Sequence, residues 1–548
     1  MLNLRRGYIP IFTILITICF TTVEATAEND LFDMYDLDVG GEQVDYVVED
    51  LNQDGLNDIL VFHTKKEDKA ISRYFSIFYQ TLSGFNNTAD QSFEIDPDAV
   101  IYDLSDVDNK PGKEIIIFKR TGLFFYAQAN GQYYPEPKLL LETNSIFSLP
   151  DKSFLEHMDF TIDLDGDGID EILVPNFKTC SIYSKKMNNP STPKTDGYDP
   201  YHALARSIGA ENEYYQLKSR LDVLMQNSII SSKEVSRYLV SSLVTPNIVI
   251  ADYNRDRRDD IIVIQDTYLK VFFQDEQGNY SNDDSITVPL GFEITQAYTL
   301  TVGNINRRMR DRLKDKTGIK CLKDINGDGL LDIVIEKLSL SAGALNPKKL
   351  FPVFFGREVP GDLSRGGTFR KVPDHIIVNR GFQVHSWIID LNNDGKSDIV
   401  IPVIEIGLFN FITMLITGNI DVTLFVYLMD DTGKYTKKPD DVFDFSVEFH
   451  RSGRKIPVVD FDGDYNGDGR MDLLRAEEDN LVVHYTPENG ILSEGQEVMF
   501  PVEIPDNGIN VKPRKINADA KSDVVIVYPH EQEDKTIRKN SVRILITK

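Results

Sequence analysis

A nine-residue pattern of acids, asparagines and glycines returns eight times along this chain of 548 residues, each time followed by a short apolar run. Five copies fit one template: DLNQDGLND from Asp50, DLDGDGIDE from Asp163, DINGDGLLD from Asp324, DLNNDGKSD from Asp390 and DYNGDGRMD from Asp464. Position 1 is Asp50, Asp163, Asp324, Asp390 or Asp464, and position 3 is Asn52, Asp165, Asn326, Asn392 or Asn466. Position 5 is Asp54, Asp167, Asp328, Asp394 or Asp468, position 6 is glycine, and position 9 is Asp58, Glu171, Asp332, Asp398 or Asp472. A sixth copy keeps the acid set, Asp252, Asn254, Asp256 and Asp260, but carries Arg257 where glycine is expected. Two copies are more worn: Asp106–Glu114 has Lys110 at position 5, and Lys515–Asp523 has a lysine at position 1.

The starts fall at 50, 106, 163, 252, 324, 390, 464 and 515, so the period is far too long for a parallel β-helix. A helical solenoid would show a 3.6-residue period, which is missing. Around each loop lie short β-branched and aromatic runs such as VDYVV, FSIFY, LFFY, LKVFF and LVVHY, which read as strands. Three or four strands per repeat describe a blade, and the chain is therefore expected to be all-β, a β-propeller of eight blades, or seven if one worn repeat is not a full blade. After the last loop only two strands are evident, Asp523 to Tyr528 and Ser541 to Ile546. The segment Phe32 to Val39 is expected to supply the missing outer strand and seal the ring, removing exposed edges.

A hard cation such as calcium takes six to eight oxygens, and Asp and Asn closely spaced on a tight turn supply them. Positions 1, 3 and 5 give side-chain oxygens, position 7 a carbonyl, and position 9 an acid, while glycine at 6 permits the turn. Calcium is thus expected in the five intact loops and in the Asp252 loop. The competing reading is an Asx-rich turn satisfied by water. Lys110 and Lys515 place an ammonium where a ligand belongs, so those copies are expected to hold no ion. An EF-hand is excluded, because position 12 is Val61, Val174, Ile335, Ile401 or Arg475 rather than Glu. Around Asp464 a second register beginning at Asp460 competes, but only the first has Gly469 at position 6 and Leu473-Leu474 after position 9; Asp460 and Asp462 then end the preceding strand.

This pattern resembles the calcium loops of integrin alpha-subunit propellers and of VCBS and FG-GAP repeat proteins. The resemblance spans residues 31 to 548 and rests on the loops and the blade rhythm, since a regular Phe-Gly…Gly-Ala-Pro signature is not apparent. It implies calcium held in the hairpin between the first two strands of each blade. Calcium repeated around a ring stiffens hairpins rather than performs chemistry.

Residues 1–27 read as a signal peptide: Arg5 and Arg6, an apolar stretch from Ile9 to Phe20, and Ala25-Thr26-Ala27 before Glu28. The apolar stretch is shorter than the roughly 20 residues of a spanning helix, an uncleaved anchor being the alternative. The remainder, 28–548, is expected to be one exported propeller domain, periplasmic, cell-surface or extracellular. Cys180 and Cys321 lie in different repeats, and their pairing stays open. A net charge of −27 argues against nucleic acid, whose binding needs clustered Lys and Arg.

No metalloprotease, nucleophile-elbow or Walker pattern occurs, and no catalytic residue is assigned. His385 and Trp387 form the most suggestive pair for a pocket, against the simpler reading of a strand aromatic buried near the axis. Three insertions, about 185–245, 304–320 and 405–420, are candidates for specificity. The first is expected to contain helices near Glu211 to Met225 and Ser232 to Leu243, unless YYQLKSRLDV is a fourth strand. The second concentrates Arg and Lys in an acidic chain, and the third is apolar enough for a partner or membrane-surface contact. These features favour a binding or adhesion module for a glycan or an envelope or extracellular protein. The alternatives are a polysaccharide lyase or hydrolase on the same scaffold and a structural envelope component.

Overall fold

The computed structural model describes residues 31–548 apart from 68–69, 109, 144–150, 152, 177, 186–214, 224–225, 231–239, 245–246, 295–314, 340–346, 360–365, 382–384, 405–417, 449–455 and 529–540. The runs that follow each acidic loop are apolar on both faces, DIIVI and EIIIF for example, and they are buried throughout. A strand apolar on both faces must lie between two other layers. Eight sheets satisfy this by standing side by side as the blades of a β-propeller, each burying one face against the sheet before it and the other against the sheet after it.

Blade 1 runs through Glu42–Glu49, Asp58–Glu67, Ala70–Phe78 and Gln91–Glu94. Blade 2 has Ile101–Ser105, Glu114–Lys119, Gly122–Tyr126 and Lys138–Glu142, with Glu156–His157 added in parallel to its first strand. Blades 3 and 4 begin at Thr161–Ile162 and Ile248–Ala251, blades 5 and 6 at Asp315–Lys323 and Trp387–Ile389, and blade 7 at Val459–Gly463. Blade 8 takes Val511–Arg514, Asp523–Tyr528 and Ser541–Thr547, and its fourth strand is Phe32–Asp38 from the other end of the chain, as the sequence suggested.

Eight apolar clusters fill the spaces between successive blades, and one of them joins blade 8 to blade 1 through Val525, Val527 and Ile544 against Ile59, Val61 and Phe78. The ring is closed and eight-bladed. Arg543, almost fully buried, clasps the seam by donating from Nε to Asp36 Oδ1 at 2.6 Å and from its terminal nitrogen to Oδ2 at 3.0 Å.

Of the two readings of the first insertion, the fourth strand holds and the helix near Glu211 to Met225 does not. Tyr215–Asp222 is the fourth strand of blade 3, paired antiparallel with Thr179–Lys185, because the open edge of that sheet supplies hydrogen-bond partners that an isolated helix would have to make alone. Val240–Val244 pairs with Gln226–Ile230 as a two-stranded ribbon, and residues 232–239 lie outside the described residues. Of the second insertion, 304–314 lie outside the described residues and 315–320 already belong to the first strand of blade 5. Of the third, 405–417 lie outside them, and Asn419 begins the third strand of blade 6. Among the described residues the only helical elements are two short 3-10 turns, and no helix is long and apolar enough to cross a membrane. Cys180 and Cys321 are free thiols on blades 3 and 5; burial pushes them up to about 12 and about 11.

Candidate metal centres

Each of the eight loops is the hairpin between the first and second strands of its blade, so all lie on one face of the ring. The backbone turns twice through the left-handed region. At position 6, φ is +88° at Gly55, +82° at Gly329 and +89° at Gly469, and Arg257 adopts +70° in their place. Position 4 does the same at Gly327 (+76°), Asn393 (+58°) and Gln53 (+58°), a requirement that the glycines and asparagine there signal but that the nine-residue template overlooks.

These turns aim backbone N–H groups at the side chains of the loop. In blade 5, Asp324 Oδ1 accepts from Gly327 N at 2.8 Å and Oδ2 from Gly329 N at 2.8 Å. Asn326 Oδ1 accepts from Asp328 N at 2.9 Å, and Asp328 Oδ1 from Leu330 N at 2.9 Å. Blades 1, 4, 6 and 7 repeat the network, with Asp50, Asp252, Asp390 and Asp464 each accepting from the position-6 N–H through Oδ2. Asp464 therefore holds position 1 in blade 7. Asp460 instead faces Lys512 of blade 8 at 3.3 Å, and burial together with Asp460 pushes Asp462 up to about 6.

Position 9 is a buried clamp. Asp332 Oδ2 accepts from Ile325 N at 3.0 Å and Oδ1 from Gly356 N at 2.7 Å, tying the loop to the far end of the third strand. Asp58, Asp260, Asp398, Asp472 and Asp523 make the same pair of bonds in their blades. Burial pushes Asp58, Asp260, Asp332, Asp398 and Asp472 up to about 7, the backbone donors oppose this, and the position-5 carboxylate adds repulsion. An all-oxygen donor set whose carboxylates repel one another suits a hard divalent cation. In blades 4 and 7 the position-7 arginines, Arg258 and Arg470, also pair with the outer oxygen of Asp256 and Asp468.

Blades 2, 3 and 8 differ. Lys110 pairs with Asp108 in blade 2, while Lys185 reaches the same loop at Asp106 Oδ1, 3.3 Å away. Lys515 in blade 8 donates to Ala520 O at 2.6 Å. In blade 3, Lys218 Nζ donates to Asp165 Oδ2 at 2.6 Å and to Glu171 Oε1 at 3.1 Å.

Three groups among the described residues place three ligand atoms within 4.8 Å of one another: Asp106, Asp108 and Glu114; Asp163, Asp165 and Glu171; and Asp103, His157 and Asp159. The last lies outside the repeat and carries no sequence signal. Asp103 Oδ2 accepts from Phe160 N, Thr161 N and Thr161 Oγ1, which turns Oδ1 toward His157 Nε2 at 3.4 Å and joins blade 2 to blade 3. His385 and Trp387 meet edge to face at 5.0 Å, beside a cavity of about 30 Å³. That space suits about one water molecule; Trp387 is buried in the first strand of blade 6, while His385 before that strand is exposed.

Fold and loops define the class: an eight-bladed β-propeller with acidic hairpins on one face. No family model and no curated protein matches the chain. Solved structures do. A lectin from Agrocybe aegerita that recognises non-reducing terminal N-acetylglucosamine is 12% identical over 83% of this chain and 89% of its own, with a TM-score of 0.35. The V. cholerae biofilm matrix protein Bap1 is 10% identical over 92% and 76%, with a TM-score of 0.23. The WD40 domain of SCAP from fission yeast is 10% identical over 86% and 98%, with a TM-score of 0.25. Scores this low carry no argument about what the chain binds.

Proposed function

We propose that the chain is an exported, calcium-stabilised propeller of the VCBS/FG-GAP kind that serves as a binding or adhesion module for a glycan or an envelope or extracellular protein. The observation that carries the calcium reading is the repeated oxygen cradle of blades 1, 4, 5, 6 and 7, in which three carboxylates crowd one turn and the buried one is pushed up to about 7. A divalent ion offsets that repulsion and stabilises the folded state by mass action. Export rests on the signal-like residues 1–27, and the binding role on a scaffold whose loops carry no catalytic signature. The metal-stripped chain, titrated with calcium in a calorimeter, is expected to bind several ions. A glycan array probed with and without calcium then tests the ligand class: retention that disappears with chelator supports the reading, and no retention on any glycan shifts it to a protein partner.

A further inference from the structure

We propose that the blade 3 hairpin carries its own cation, the Lys218 ammonium, and binds no calcium. The inference rests on the calcium reading of the other loops and departs from it at this one. Lys218 belongs to the fourth strand of blade 3, where Ser219 pairs with Ile182 and Leu217 with Tyr183, so Lys218 is the extra residue of a β-bulge. A bulge re-aims the side chain it carries. Here the side chain turns over the hairpin, is only 8% exposed, and bridges position 3 to position 9 of the loop. Those are two of the side-chain oxygens that an ion would need.

The loop chemistry has changed to match. Blades 1, 4, 5, 6 and 7 pair Asn at position 3 with Asp at position 9, whereas blade 3 pairs Asp165 with Glu171. The extra carboxylate adds the negative charge that the ammonium neutralises. The extra methylene of Glu171 lets Oε2 keep the clamp to Leu164 N at 3.1 Å while Oε1 reaches Lys218. Blade 2 is an independent second instance: it also combines Asp108 at position 3 with Glu114 at position 9, and it also draws lysines onto its loop. Blade 4 closes over the pair. A Cβ on its Gly278 would stand 2.7 Å from Asp165 Oδ2 and 3.2 Å from Lys218 Nζ, leaving little room for a hydrated ion to enter.

Calcium stoichiometry of the metal-stripped full chain, read by calorimetry and by native mass spectrometry, tests this. Lys218→Met is expected to bind one ion more than the wild type. Asp167→Asn, which alters the same loop without touching Lys218, is expected to leave the wild-type count unchanged, whereas Asp328→Asn in blade 5 lowers it by one. A count that falls by one in Asp167→Asn, or does not rise in a folded Lys218→Met, overturns the inference while the calcium reading stands. If Lys218→Met fails to fold, the Asp167→Asn result decides alone. An unchanged count in Asp328→Asn overturns the calcium reading, and this inference with it.

Discussion

The hairpins of blades 5 and 3 share a backbone and differ in how their charge is balanced. Both turn through two left-handed residues, both anchor the position-1 carboxylate on the N–H of positions 4 and 6, and both clamp position 9 to the N–H of position 2. Blade 5 pairs no side-chain cation with Asp324 or Asp328 among the described ion pairs, whereas blade 3 places a buried ammonium between Asp165 and Glu171. The turn is thus a property of glycines, asparagines and backbone bonds, and the counter-charge is a separate requirement. A loop can meet that requirement with an ion from solution or with a lysine from its own sheet.

That comparison can be broken in several ways. Removing calcium should have the largest effect, since an ion at a hundred times its Kd contributes about 2.7 kcal/mol at each filled site. Chelator is expected to lower the melting temperature clearly, and hydrogen exchange should rise in the hairpins of blades 1, 4, 5, 6 and 7 while blade 3 keeps its protection. Uniform exchange across all hairpins would erase the distinction. Next comes Asp332→Ala, which strands the buried N–H groups of Ile325 and Gly356. At about 1–3 kcal/mol per unpaired group, a loss of roughly 4 kcal/mol is expected in urea denaturation, with or without calcium. A loss seen only with calcium would make Asp332 purely a ligand.

Lys218→Met should cost about 3 kcal/mol in chelator, because Asp165 and Glu171 then face each other uncompensated. Added calcium is expected to restore most of that stability, and denaturation in the two conditions checks it. The smallest effect is a gain. Arg257 is held at φ +70°, a conformation that costs an L-residue about 1–2 kcal/mol and glycine almost nothing. Arg257→Gly should therefore raise stability by about 1 kcal/mol in thermal melts and make blade 4 resemble blade 5 more closely.

Much of the fold was legible because the repeat is local. A nine-residue turn followed by an apolar run announces a hairpin wherever it occurs, and its eight copies count the blades. The closing strand was legible too, since blade 8 lacked one strand and Phe32 to Val39 was the segment left over before the first loop. What escaped reading depends on partners distant in sequence. Tyr215–Asp222 left helix and fourth strand both open, and only the waiting edge of blade 3 decides for strand. The bulge at Lys218 is a matter of register between two strands, invisible in either alone. Asp103 and His157 meet because the segment after blade 2 returns along its first strand, and nothing in their spacing shows it.

The seam between Phe32–Asp38 and Ser541–Thr547 also sets a timetable. Pairing Asp36 with Arg543 closes a loop of about five hundred residues, the slowest kind of contact for a chain to find. Until Ser541–Thr547 has been synthesised, Phe32–Asp38 touches blade 1 through Asn87, Thr88 and Phe85 but lacks the strand it pairs with in the ring. Ring closure therefore needs both ends of the chain at once, and anything that holds those two edges apart leaves the ring open.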